Sequence, residues 1–300
     1  MNNILHTPTV TDYNRWAGVE TLNPLISFID FSKVEPIRHV RKLYGLYAIF
    51  LKQANCGELK YGRKTYDYQE GTLLFVAPGQ VFGAEDDGEL FQPTGYVLLF
   101  HPDLLRGTPL ASAMKDYTFF NYEENEALHL SERERKTVMD CLGKINEELQ
   151  YPVDKFSKTI LTDSIKTFLD YCTRFYSRQF ITRENVNSDT LAKFENLLNE
   201  YFASDKPSVQ GLPNVQWCAS QLGMSSNYLS DMLKRETGMT ALNYIHSKLL
   251  DIAKNEIVAT SKTISEIAYR LGFQYPQHFT RLFKRVVGCS PNEYRQQFAS

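Results

Sequence analysis

The chain has 300 residues, enough for two domains, and its 43% hydrophobic and 23% charged content is ordinary globular usage, which excludes wholesale disorder, collagen-like repeats and a fibrous coiled coil. The longest apolar run, residues 43–51, contains Gly45 and is about half the roughly 20 residues of a membrane helix, so no membrane partner is expected. The formal net charge of −2 is unevenly spread: residues 206–300 carry 11 Lys and Arg against 6 Asp and Glu, a local +5, and the rest of the chain carries −7.

The first eight residues show neither a basic region nor an apolar stretch, as a secretory signal would. The five cysteines (Cys56, Cys141, Cys172, Cys218, Cys289) lie far apart with no C-x-x-C spacing. A cytoplasmic chain with reduced thiols is the expectation. From about Tyr44 to Phe100 the sequence predicts short strands at Leu46–Leu51, Glu58–Tyr61, Lys64–Tyr68, Thr72–Val76 and Tyr96–Phe100, punctuated by Asn55-Cys56-Gly57, Glu70-Gly71, Pro78-Gly79 and Asp86-Asp87-Gly88. Closely spaced strands of this kind predict a sandwich or barrel. Their alternating aromatics serve either as ordinary core or as the lining of an internal pocket. In the second case Tyr47, Tyr61, Phe75 and Tyr96 would line it, with Arg63 holding an anionic group.

After Pro102 the period becomes helical. Ser131-Glu132-Arg133-Glu134 is a capping box, followed by Val138, Leu142, Ile145 and Leu149 on one stripe. A second long helix, Val153 to Arg178, would turn Phe156, Ile160, Phe168, Tyr171 and Phe175 toward apolar partners, giving a helical hairpin. The stripe would be buried either in a dimer contact or against this second helix. Residues 181–189 are polar and aperiodic, which predicts a linker between an N-terminal domain (1–180) and a C-terminal one (190–300), the latter opening with a helix at Thr190–Phe202.

The last third repeats itself. Ala219-x-x-Leu222-Gly223-Met224 recurs 49 residues later as Ala268-x-x-Leu271-Gly272-Phe273, and Leu229 to Thr240 recurs as Phe279 to Ser290. Each unit reads as helix, tight turn at glycine, and second helix. In the second unit Thr263-Ile264-Ser265-Glu266 is a capping box. On the second helices the outward residues are Asn227, Ser230, Asp231, Lys234 and Arg235 in one, and Gln277, His278, Thr280, Arg281, Lys284 and Arg285 in the other. Such sets mix base-reading and phosphate-binding chemistry. Between them Ala241–Ala259 predicts a helix with Leu242, Ile245, Leu249, Ile252, Ala253 and Ile257 on one face, about 28 Å long at 1.5 Å per residue. That length is close to the roughly 34 Å of one DNA turn, so the two second helices could enter successive major grooves.

The run Ile264-x-Glu266-Ile267-Ala268-x-x-Leu271-Gly272-Phe273, followed by Phe279-x-Arg281-x-Phe283-Lys284-x-x-x-Gly288-x-Ser290-Pro291-x-x-Tyr294-Arg295, resembles the C-terminal signature of the AraC/XylS-type transcription regulators. The resemblance extends over roughly residues 188–300. It implies a seven-helix DNA-binding domain with recognition helices near Ser226–Glu236 and Pro276–Val286, acting as activator or repressor on double-stranded promoter DNA, with RNA polymerase as a candidate protein partner. It further implies an α+β chain: an N-terminal cupin-like β-barrel with a helical hairpin that mediates homodimerisation and senses a small-molecule effector, then an all-α domain with two helix-turn-helix units. A regulator without a ligand, controlled by abundance or a protein partner, is the alternative. Two positions depart from the pattern. Lys248 stands where an Arg is usual, and Asp231 stands where the second unit has Arg281, so the second unit is expected to read bases more strongly.

The nearest segment to a cupin metal motif, Gly71 to Phe82, has altered spacing and Phe82 near where a His is wanted. The six histidines do not cluster in sequence. No metal, no cofactor and no enzymatic activity are expected.

Overall fold

The computed structural model describes residues 4–52, 71–85 and 88–298, and the chain divides into two compact units, Met1–Thr182 and Arg183–Ser300. The predicted strands Glu58–Tyr61 and Lys64–Tyr68 lie outside the described residues, as do Cys56, Tyr61 and Arg63.

The first unit begins with β1 (Leu5–Thr7), α1 (Val10–Ala17), β2 (Ile26–Asp30), β3 (Ile37–Arg38), β4 (Lys42–Tyr44), β5 (Tyr47–Lys52) and β6 (Thr72–Val76). It continues with β7 (Val81–Phe82), β8 (Leu90–Phe91), β9 (Tyr96–Phe100), α2 (Pro102–Leu105), α3 (Pro109–Ala113), β10 (Leu128–His129), α4 (Glu132–Glu148) and α5 (Ser157–Thr182). The main sheet has the order β10-β6-β5-β9-β2, all antiparallel. Its strands read as almost unbroken apolar runs because both faces are covered. Ala48, opposite Val76 and Leu99, faces a core that includes Val10, Tyr13 and Ala17 of α1. Ile49, opposite Phe75 and Leu98, faces the other side with Tyr47 and Phe100, where Phe119, Phe120 and Tyr176 of α5 pack. Gly95 makes the turn into β9 at φ 90°, and a Cβ there would fall 2.1 Å from the Leu51 carbonyl oxygen.

Three sheets form among the described residues, not one closed barrel: the five-stranded sheet, β1-β4-β7 with β1 and β4 parallel, and the ribbon β3-β8. The expected barrel is corrected accordingly. Short range explains the error, because strand spacing in a sequence does not reveal which non-local edges pair.

The helical pair forms. Ser131 caps α4, with the reciprocal Glu134 bond at 2.9 Å, and Glu134 also takes a two-point contact from Arg178 of α5 (2.6 and 3.0 Å). Val138, Leu142 and Ile145 are buried within the single chain, which answers the choice left by sequence in favour of packing on α5. The second helix starts at Ser157, not Val153. Asp154 accepts from the Phe156 and Ser157 N–H groups (2.8 and 2.9 Å), bonds that hold its carboxyl below the usual range, and the chain turns there. Phe156 and Ile160 are therefore exposed rather than packed.

The second unit is all helical: α6 (Glu184–Ala203), α7 (Lys206–Gln210), α8 (Val215–Gln221), α9 (Ser226–Thr237), α10 (Ala241–Ala259), α11 (Ile264–Arg270), α12 (Pro276–Val287) and α13 (Pro291–Phe298). Eight helices stand among the described residues where seven were expected, the short α7 being extra. The predicted linker is also shortened. Residues 184–189 belong to α6, and the polar stretch is helical because Asn187 and Thr190 are buried against the rest of the unit instead of being solvated.

Candidate nucleic-acid interface

Side-chain caps start α8, α9 and α11, while α12 starts on Pro276 with no side-chain cap bond from Tyr275. Asn214 accepts from Trp217 N–H at 2.7 Å to start α8, and Ser225 accepts from Tyr228 N–H at 3.1 Å to start α9. Thr263 and Glu266 start α11 through reciprocal bonds of 2.7 and 3.2 Å. Both second helices end on a left-handed glycine, Gly238 and Gly288, whose N–H returns to Lys234 O and Lys284 O. The turn of the second unit depends on Gly272. Its φ is 95°, and an added Cβ would lie 2.8 Å from the Gly211 carbonyl carbon and 2.9 Å from Pro207 O.

The buried sides follow the repeat. Leu229, Met232 and Leu233 anchor α9, while Phe279, Leu282 and Phe283 anchor α12, with Phe279 between Phe273 (edge-to-face, 5.4 Å) and Phe283 (tilted, 5.7 Å). Between the units α10 has the predicted bounds. Its 19 residues span about 28 Å. Its buried face is Ile245, Leu249, Leu250, Ala253 and Ile257; Leu242 is exposed and Ile252 half-buried, so the stripe is rotated from the expected one.

On the outer sides Lys234, Arg235, Gln277, His278, Arg281, Lys284 and Arg285 are exposed. Asn227, Ser230, Asp231, Lys248 and Thr280 are half-buried, and the Thr280 hydroxyl donates to Pro276 O at 3.1 Å. The ion pairs of Lys254 with Asp251 and Arg270 with Glu256 lie away from the recognition helices, whose Lys234, Arg235, Arg281, Lys284 and Arg285 are solvent-exposed. The two helices differ in charge. Lys234 and Arg235 are balanced on α9 by Asp231 and Glu236, whereas α12 carries Arg281, Lys284 and Arg285 and no carboxylate. Arg285 also reaches toward α10: burial and then the charge of Arg285 lower the pKa of His246.

Several supporting residues escaped the sequence reading. Arg183 donates to Tyr228 OH at 3.4 Å and Asn187 to Glu236 at 3.1 Å, so the first turns of α6 brace α9. Tyr244 of α10 donates to Glu195 of α6. Arg295 of α13 donates to Ile257 O and Lys262 O (2.8 and 2.6 Å), closing the end of α10. Ser290 and Glu293 form a further capping box (2.6 and 3.2 Å), for which Ser-x-x-Glu was the available signal.

Of the candidate effector residues, Tyr47, Phe75 and Tyr96 are among the described ones. Phe75 lines a cavity of about 390 Å³ bounded by β6, β7, residues 119–127 and α5. Tyr47 stacks instead on Phe100 (4.9 Å) and Tyr96 on Phe28 (5.6 Å), both within sheet packing.

Residues 218–297 match the helix-turn-helix domain family. The chain is 26% identical over 231 residues to the HTH-type transcriptional activator RhaR of Mannheimia succiniciproducens, covering 76% of each protein. It is 34% identical over 84 residues to the HTH-type transcriptional activator RhaS of Escherichia coli, covering 27% of this chain and 30% of that one. With the uncharacterized HTH-type transcriptional regulator YtdP of Bacillus subtilis it shares 28% identity over 135 residues, 44% of this chain and 17% of that protein. The matched stretch thus spans less than a third of YtdP and of RhaS. With two capped helix-turn-helix units on one spacer helix, the C-terminal unit is a double helix-turn-helix DNA-binding domain. Residues 218–297 are similar to the helix-turn-helix domain of transcriptional regulators, as the AraC/XylS resemblance of the sequence implied.

Proposed function

We propose that the chain regulates transcription by binding promoter DNA with α9 and α12 in successive major grooves, under the control of a small-molecule effector taken up by the N-terminal unit. The observation that carries this reading is the pair of recognition helices held by the 28 Å α10, with Gln277 and Arg281 exposed on α12. Arg and Gln present two-point hydrogen bonding to guanine and adenine edges; Lys234, Arg235, Lys248, Lys284 and Arg285 supply phosphate contacts. The RhaR and RhaS relatives are activators by name, and activation is the direction proposed here. The protein works in the cytoplasm as a homodimer, through a surface other than Val138, Leu142 and Ile145, which are already covered within the chain.

The purified protein is incubated with fragmented genomic DNA and the retained fragments are sequenced. Recovery of a motif with two half-sites about one helical turn apart is the expected result. Sedimentation of the same preparation as a monomer, with and without DNA, would remove the dimer from the proposal.

A further inference from the structure

The cavity beside β6 has walls of one kind and a mouth of another. Phe75, Phe119 and Tyr176 form a continuous aromatic wall, with Phe75 and Phe119 at 4.5 Å and Phe119 stacked on Tyr176 at 5.4 Å and 19°. Phe82 adds a further ring to the lining. Two of the polar groups there are already engaged. The Gln80 amide bridges Ala77 N–H and Phe120 O (2.8 and 3.2 Å), and the Tyr176 hydroxyl donates to Glu126 O at 3.2 Å. Among the described lining residues the charged ones are Glu123 and Glu124, both solvent-exposed, with no Lys, Arg or His. Glu123 is held in place by the Glu126 N–H, and Glu124 by Lys52 at 3.1 Å.

From this geometry we infer that the cavity is a binding site for a flat organic cation: an apolar or aromatic body lying among Phe75, Phe82, Phe119 and Tyr176, with an ammonium group toward Glu123 and Glu124. The volume falls within the roughly 300–1,000 Å³ of small-ligand sites. Ring faces attract a cation through their quadrupole, and the carboxylates add to that attraction. An anion of the same shape meets two carboxylates, of which, among the described residues, only Glu124 is paired, with Lys52. The inference deepens the effector reading and rests on it for any regulatory meaning, but the site itself is testable without DNA. It is a site separate from the anionic group that Arg63, outside the described residues, was expected to hold.

The test is calorimetric titration of the full-length protein with 1-naphthylmethylamine and, as its charge-reversed match, 1-naphthoate. The amine is expected to bind about tenfold more tightly than the acid. Glu123→Gln, at an exposed position, is expected to weaken the amine several-fold while leaving the melting temperature unchanged. Val81→Trp, at a partly exposed residue of the lining, is expected to block both compounds. Equal affinities, tighter binding of the acid, no measurable binding of the amine, or amine binding indifferent to both substitutions would each overturn the site. Amine binding that responds to the substitutions but leaves operator affinity unchanged upholds the site and rejects effector control.

Discussion

Lys42 shows how one residue can oppose the fold that buries it. Its side chain lies in the first unit with Nζ 3.2 Å from the Trp16 ring centre, and burial lowers its pKa from 10.5 to about 7. Between pH 7 and 10 the unfolded chain therefore binds more protons at this position than the folded one, so the lysine's cost to stability is greatest below pH 7 and fades as pH rises. Lys42→Met is expected to stabilise the N-terminal unit by about 1–2 kcal/mol at pH 6, part of the desolvation cost being offset by the aromatic contacts, with the gain vanishing by pH 10. Urea unfolding of both proteins across that range measures it; a gain independent of pH would mean the amine is not titrating in the fold. At the DNA surface the two recognition helices are unequal. Arg281→Ala is expected to cost roughly 1–3 kcal/mol in operator affinity and to relax one base pair, with Ser230→Ala costing clearly less. Equal losses in a gel-shift titration would contradict the assignment of stronger reading to α12.

Among the elements, those governed by neighbours in sequence were the legible ones. The capping boxes of Ser131 and Thr263 placed α4 and α11, and α10 has the bounds its periodicity predicted. Sequence-distant contacts were not legible. The pairing β10-β6-β5-β9-β2 and the polar burial of Asn187, bonded to Glu236, depend on partners tens of residues away, and the helix start at Ser157 turned on one Asp154 cap outweighing an apolar pattern. Of the residues the repeat turned outward, Lys234, Arg235, Gln277, His278, Arg281, Lys284 and Arg285 are exposed and Asn227, Ser230, Asp231 and Thr280 half-buried, and the exposure of Leu242 shows that the exact rotation of α10 is set by packing. Caps that double as tertiary contacts should matter most. Glu134→Ala removes a cap and also the ion pair of the half-buried Arg178, which keeps its bond to His129 O, and is expected to cost about 2 kcal/mol; Glu266→Ala, an exposed cap alone, is expected to cost clearly less. Denaturant midpoints of the two variants provide the comparison, and similar losses would mean that the Arg178 contact contributes little.

For the molecule as a whole, an overall charge of −2 coexists with a basic C-terminal third. DNA affinity should accordingly depend steeply on salt despite the acidic total. Five phosphate contacts, from Lys234, Arg235, Lys248, Lys284 and Arg285, predict a slope near −4 to −5 in log affinity against log salt, and each Lys or Arg neutralised should reduce it by about one. Anisotropy titrations between 50 and 200 mM salt measure the slope, and a flat response would contradict the phosphate contacts.

The two helix-turn-helix units follow one another in the same chain, in the same helical order, but they present different side chains: Asn227, Ser230 and Asp231 on one, Gln277, His278 and Arg281 on the other. A single chain bound to DNA consequently has a front and a back. Turning its site end for end gives a different site, so the domain reports the direction in which DNA runs as well as the address it occupies.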